Sequence, residues 1–291
     1  RWGIETLLLN SVILVLQETL EAALVISVLL SISYQRRLGI SWLVYGLVGG
    51  VVLATVYAIN MAIISAWFDY VGQEIFNAVL QTGIATLIPL YGWLVFTPGN
   101  RVTRTTADGE LVSRGAPPLT AWIAAAIVIL AISREGSEVA LYISGFFLGS
   151  AHLASVLTGG VLGFGIGLSM GTLLFFALSS DQSQWRRRVA TLLLALFAGN
   201  MLSQSVAQLT QADWITVSGS YWDTSGWISE QSITGQLLYA LLGYEATPST
   251  EQLLAYLAGT LLVLSLLISR RLFFKRPIVV PTADQSTRPH Q

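Results

Sequence analysis

The sequence predicts an all-α membrane protein with seven transmembrane helices, and three observations carry that prediction. Hydrophobic residues make up 54% of the 291 positions and charged residues 11%, against about 25% charged in a soluble globular domain. Long stretches, Ile40 to Phe68, Ile75 to Asn100 and Val139 to Ser180, contain no charged side chain at all. Finally, the basic residues gather in every second connection. A helix crosses the hydrocarbon core with roughly 20 apolar residues, so the longest run holds two crossings. Backbone groups in lipid must pair internally, and these runs exceed barrel strands, which leaves a helix bundle.

In order, helices are expected at about 6–33, 41–67, 73–96, 118–148, 152–179, 189–211 and 250–269. The first is too long, and too interrupted by acids, for a cleavable signal peptide. Arg36 and Arg37 follow the first helix, Arg101, Arg104 and Arg114 the third, and Arg186, Arg187 and Arg188 the fifth; Arg270, Arg271, Lys275 and Arg276 follow the seventh. The opposite connections hold Asp69, Glu74, Asp213, Asp223, Glu230 and Glu245, with Arg1 as their one basic residue. The positive-inside rule then puts the N-terminus outside and the C-terminus in the cytoplasm. A net charge of −1 gives no sign of a nucleic-acid partner, and the lack of cysteine excludes disulfides and thiolate metal sites.

Two helices share a motif. Gln17-Glu-Thr-Leu-Glu21-Ala-Ala-Leu-Val-Ile-Ser27 aligns with Arg134-Glu-Gly-Ser-Glu138-Val-Ala-Leu-Tyr-Ile-Ser144, matching at both Glu, Ala, Leu, Ile and Ser. Three helices separate the copies, and an odd number of crossings inverts the second. This predicts a 3+3 inverted repeat, the construction of many secondary transporters, with the substrate site at the repeat interface. The expected organisation is a first three-helix repeat at 1–96, a cytoplasmic loop at 97–117, the second repeat at 118–211, an outer segment with Trp and acids at 212–249, the seventh helix at 250–271 and a cytoplasmic tail at 272–291.

Depth gives the motif its meaning. At about 1.5 Å per residue, Glu18 and Glu21 lie roughly 20 Å from either end of their helix, and Glu135 and Glu138 are as central in theirs. The i, i+3 spacing points both acids of a pair from one helix face. Each acid at mid-membrane costs on the order of 2.5–3.5 kcal/mol, so the four must face one another, Arg134, water or a cation. A buried ion-pair network that only locks helices together is the bland alternative, but one Arg cannot balance four acids. Carboxylates suit hard cations, whereas the softer ligands are scarce: three Met and two His. His152 falls at an outer turn and His290 in the tail. Residue chemistry alone leaves ferric iron, calcium, manganese, magnesium or protons.

An Arg-Glu-x-x-Glu motif at Arg134–Glu138 within a membrane helix, with a degenerate copy at Gln17–Glu21, resembles the high-affinity iron permease family. That family comprises fungal permeases that work with a multicopper ferroxidase and bacterial iron-uptake permeases. The resemblance implies iron uptake across the cell membrane, with Fe³⁺ as the expected species, through Glu18, Glu21, Glu135 and Glu138. Gln17 and Arg134 would orient the motif acids. It also implies iron as substrate rather than cofactor, an extracytoplasmic ferroxidase or iron-delivery protein as partner, and leaves room for an oligomer. Gln17 departs from the Arg that the family usually carries there, leaving four carboxylates and one guanidinium. A transporter of another cation such as Mn²⁺ or Pb²⁺, or a membrane metal sensor or scaffold for an extracellular partner, stays open. An intramembrane hydrolase would need His-Glu-x-x-His or His near the motif, so no enzyme is expected, and no Gly-x-x-x-x-Gly-Lys-Ser/Thr motif suggests ATP hydrolysis.

Secondary features complete the reading. Gly159, Gly163, Gly167 and Gly171 form a small-residue ridge suited to close helix packing or to a moving contact. Asn200, Gln204 and Gln208 make a polar stripe on the sixth helix, either lining a pore or hydrogen-bonding between helices. Trp214, Trp222 and Trp227 suit a membrane interface, while Asp223 and Glu230 are the nearest match to the acids implicated in iron entry in the family's outer connection. The stretch from Gln231 to Tyr244 is too short to span. Arg186–Arg188 reads as a solvated loop, and 277–291 as a disordered tail.

Overall fold

The computed structural model describes residues 2–36, 39–95, 103–105, 111–113, 118–146, 153–180, 183–229 and 232–273. Glu230, His152, Arg37, Arg101, Arg114, Lys275, Arg276 and nearly all of the 272–291 tail lie outside these residues, as does most of the 97–117 loop. The helices are α1 (Trp2–Gln35), α2 (Ser41–Ile59), α3 (Met61–Ser65), α4 (Gly72–Val95), α5 (Pro118–Ser144), α6 (Leu153–Ser179), α7 (Gln184–Gln211), α8 (Ile233–Leu242) and α9 (Thr250–Phe273). Two short strands, β1 (Thr103–Thr105) and β2 (Leu111–Ser113), pair antiparallel inside the loop after α4. Among the described residues six helices (α1, α2, α4, α5, α6 and α7) are long and apolar enough to cross a membrane, and a shorter apolar helix, Thr250–Leu266, follows.

Four stretches differ from expectation, and local bonds account for three of them. The second crossing breaks at Asn60, whose side-chain amide donates to Val56 O at 2.8 Å, and α3 continues as a short separate turn. Such a side-chain bond offers the backbone an alternative to the helical ladder. The fourth crossing ends at Ser144 rather than near 148. The sixth begins at Gln184, because Ser183 caps it by accepting from the Trp185 N–H, so Arg186–Arg188 lie in its first turns rather than in a loop. The short stretch after 231 forms α8, capped by Ser232 at its start and by left-handed Gly243 (φ 69°) at its end.

The long helices pair closely. α1 runs parallel to α6, because glycines let the backbones meet: a Cβ at Gly159 would sit 2.6 Å from Leu8 O, one at Gly163 2.5 Å from Val12 O, and one at Gly171 2.5 Å from Ala23 Cβ. Ser27 Oγ donates to Gly171 O at 2.7 Å and pins the contact. α2 runs parallel to α5 through Gly46, Gly50 and Ala54, where a Cβ at Gly50 would meet Ile132 Cβ at 2.7 Å. α4 and α7 pack together and share polar bonds: Gln81 Nε2 donates to Gln204 Oε1 at 2.9 Å, and the Thr82 and Ser205 hydroxyls meet at 2.8 Å. The core is built from Leu24, Val28, Ile84, Ile88, Ile127 and Leu194 among others. α2 and α6 lie at the rim with Val48, Val52, Phe164 and Phe176 exposed. That apolar exterior is what a bilayer solvates.

Candidate metal-transport site

The two motif segments meet at mid-bundle. Glu18 and Glu21 come from α1 and Arg134, Glu135 and Glu138 from α5, and all five side chains converge on one point. Arg134 Nη1 stands 2.7 Å from both Glu135 oxygens, 3.1 Å from Glu21 Oε2 and 3.9 Å from Glu18 Oε2, while its Nε is 3.3 Å from Glu138 Oε1. The side chains of Glu21, Glu135, Arg134 and Glu18 are 0%, 5%, 7% and 8% exposed, whereas Glu138 at 28% reaches the edge. Burial matters here because water cannot screen these charges, so each must find a counter-group in the protein or in a ligand. One guanidinium does not saturate them: Glu18 Oε2 and Glu21 Oε1 are buried without a hydrogen-bond partner. Among the described residues no three His, Asp or Glu side chains form a ready-made metal cage.

Two cavities flank this cluster. On one side a groove of about 690 Å³ lies between α1, α5 and the rim helices α2 and α6, with Glu18 and Glu135 among mostly apolar walls such as Leu43, Val51, Phe164 and Phe175. On the other side, a polar cavity of about 360 Å³ is lined by Gln17, Arg134, Asn200, Gln204, Gln208, Gln236, Glu245 and Gln252. The predicted stripe on α7 faces this cavity. Gln204 bonds between helices, reaching Gln81 and, at 3.4 Å, Glu21 Oε2, and it also lines the cavity with Asn200 and Gln208.

The segment after α7 covers this cavity. Ser249 and Gln252 form a reciprocal cap at the start of α9, with Ser249 N donating to Gln252 Oε1 at 2.8 Å and Gln252 N to Ser249 Oγ at 3.2 Å. The same Gln252 amide donates to both Glu245 oxygens, at 3.0 and 2.8 Å, holding that acid at the cavity wall. Asp223 lies elsewhere: it is exposed, and its Oδ1 accepts from Ser225 N and Oγ at 2.9 and 2.5 Å. Those hydrogen bonds hold its carboxyl below the usual aspartate range. Trp214, Trp222 and Trp227 in the same segment are 59%, 40% and 93% exposed.

Sequence reading missed Gln81, Glu245, Gln236 and Gln252. Gln81 carried a usable signal: Asn77-x-x-x-Gln81-Thr82 on α4 parallels Asn200-x-x-x-Gln204-Ser205 on α7, and the paired residues are 123 apart. Gln236, Glu245 and Gln252 gave none, because only the fold of the outer segment brings them to the site.

Comparison with known proteins agrees with the motif. The profile of the iron permease FTR1 family matches residues 8–279. A ferrous iron permease EfeU of Escherichia coli O6:H1 is 24% identical over 254 residues, covering 82% of this chain and 88% of its own. The ferrous iron permease EfeU of Shigella sonnei is 24% identical over 256 residues with the same coverage. No solved structure matches.

Proposed function

Because the chain belongs to the iron permease FTR1 family, a family of multi-pass membrane transporters of which the ferrous iron permease EfeU is a distant homologue, we propose that it takes iron into the cell through Glu18, Glu21, Glu135 and Glu138. The observation that carries this reading is their convergence: three buried acids and the half-buried Glu138, from two helices, face one point, and two of their oxygens have no hydrogen-bond partner. A hard, multivalent cation supplies what those oxygens lack. Iron reaches them from outside through the polar cavity, past Glu245 and the α7 amides, with Asp223 and Glu230 as an outer antechamber. Each positive charge gains about 2.3 kcal/mol per 100 mV of inside-negative potential, so inward movement needs no nucleotide. An extracytoplasmic ferroxidase or iron-delivery protein supplies the ion.

The two halves form an inverted repeat with the N-terminus outside. Support comes from helix pairing: α1 with α6 and α5 with α2 are the same contact viewed from the two halves. Gly46, Gly50 and Ala54 on α2 precede Gly163, Gly167 and Gly171 on α6 by the same 117 residues that separate Glu18 from Glu135. Gln81 meets Gln204 and Thr82 meets Ser205, as equivalent residues do at a two-fold axis.

Fe³⁺ is the species that four hard carboxylates favour at the site. Fe²⁺ is the second reading, favoured by the printed name of the EfeU relatives. Uptake of radioactive iron into proteoliposomes, supplied as Fe³⁺ or as Fe²⁺ under reductant, tests both. Glu18→Gln and Glu135→Gln should each abolish uptake with normal membrane insertion, since loss of a mid-membrane charge eases insertion. Wild-type rates in both variants would return the cluster to a structural ion-pair network.

A further inference from the structure

We infer that Arg134 is the specificity-determining residue of this site: a tethered cation that holds the metal position and that only a multivalent ion can displace. The inference rests on the iron-site reading above and adds a competitor to it. Its first support is geometry. Nη1 alone lies within 3.9 Å of four carboxylate oxygens drawn from Glu18, Glu21 and Glu135, spanning both motif helices. That is not the planar fork with which arginine usually engages one carboxylate. One nitrogen sits among the oxygens as a bound cation would.

Room for departure is the second support. Arg134 lines the polar cavity of about 360 Å³, together with Gln17, Asn200, Gln204, Gln208 and Glu245. Amide oxygens and a carboxylate offer a displaced guanidinium the hydrogen-bond acceptors that it leaves behind. The apolar groove on the opposite side offers none apart from the site's own acids and a few hydroxyls. Gln17 stands at the matching position of the other motif and lines the same cavity, so the site carries a single tethered charge.

Exchange then sets a charge threshold. A monovalent ion entering the site would replace one unit of positive charge with another and lose the covalent tether's high local concentration. A divalent or trivalent ion gains additional attraction from every carboxylate and wins the exchange. Arg134 returns to the site once the ion has left, which closes it to Na⁺ and K⁺.

Equilibrium binding to the purified protein in nanodiscs tests this, with anaerobic Fe²⁺ and with Mn²⁺ as probes. Arg134→Gln removes the competitor, so it should bind both ions at least ten-fold tighter than wild type, and Na⁺ should now compete. Arg134→Lys retains a tethered charge and should stay within a few-fold of wild type. Unchanged or weaker binding in a folded Arg134→Gln protein would overturn the inference. A second measurement uses the wild-type chain, so that it does not depend on a variant folding: phenylglyoxal labelling of Arg134, read by peptide mass spectrometry, should rise when saturating Mn²⁺ drives the side chain into the cavity. Equal or reduced labelling would overturn it as well. Absence of Fe²⁺ and Mn²⁺ binding by wild type, or binding indifferent to Glu135→Gln, would instead sink the site assignment itself.

Discussion

Glu21 shows how much a single residue depends on its neighbours here. Its side chain is fully buried, with Oε2 shared between Arg134 Nη1 at 3.1 Å and Gln204 Nε2 at 3.4 Å, and Oε1 unpartnered. Gln204 in turn accepts from Gln81, so an amide chain runs from the cluster to the contact of α4 with α7. Removing the middle amide leaves the buried Gln81 Nε2 donor unpaired, at about 1–3 kcal/mol, and takes from Glu21 Oε2 the weaker of its two partners. Gln204→Leu should therefore weaken iron binding and lower thermal stability together, whereas Gln208→Leu, which lines the cavity without a bond to the cluster, should change stability little. Binding isotherms and detergent melting curves measure both, and equal melting of the two variants would show that the amide chain is not a structural link.

Among the elements, α6 shows what a glycine ridge does. An added carbon at Gly159 or Gly163 would meet α1 backbone, and one at Gly167 or Gly171 would meet the Cβ of Thr19 or Ala23; neither backbone nor a Cβ can move aside as the end of a flexible side chain can. The packing role foreseen from the four-residue spacing is the one that this contact displays. Overpacking of such a contact costs on the order of 1–3 kcal/mol. Gly163→Leu should lower the melting temperature by several degrees and displace α1, hence Glu18 and Glu21, while Gly165→Leu, with open space around it, should leave stability and uptake unchanged. Equal melting of these two variants would argue that α6 does not hold α1 in place. The break of the second crossing at Asn60 was invisible in the apolar run, because hydropathy from Ile40 to Phe68 is continuous and only a side-chain bond to Val56 O ends the helix.

At the scale of the whole molecule, the proposed orientation is tested at the segment between α7 and α9 and at the basic start of α7. Residues between α7 and α9 fold over the polar cavity and tie to the start of α9 through Ser218, whose N and Oγ both donate to Glu251 Oε1, at 3.2 and 2.7 Å. With the N-terminus outside, a cysteine replacing Ser220 should react in intact cells with a thiol reagent that cannot cross membranes, and one replacing Ser183 should not. Labelling of the Ser183 variant from outside would reverse the orientation and make the polar cavity an exit.

The sequence by itself determined what depends on local composition: which stretches are helical and apolar, where the basic connections fall, and that four acids lie within two apolar helices. Hydropathy and residue spacing are properties of one segment, and they survive whatever the segment packs against. Only the tertiary structure decided that Arg134 stands among the carboxylates, that Gln81 and Gln204 join the site, and that Glu245 and Gln252 close a cavity beside it. Those outcomes depend on which helix faces are brought together, and close glycine contacts of α6 with α1 and α2 with α5 set that arrangement. Three buried acids and one buried counter-charge have no solvent to satisfy them, so their positions follow from the packing around them rather than from their own segments.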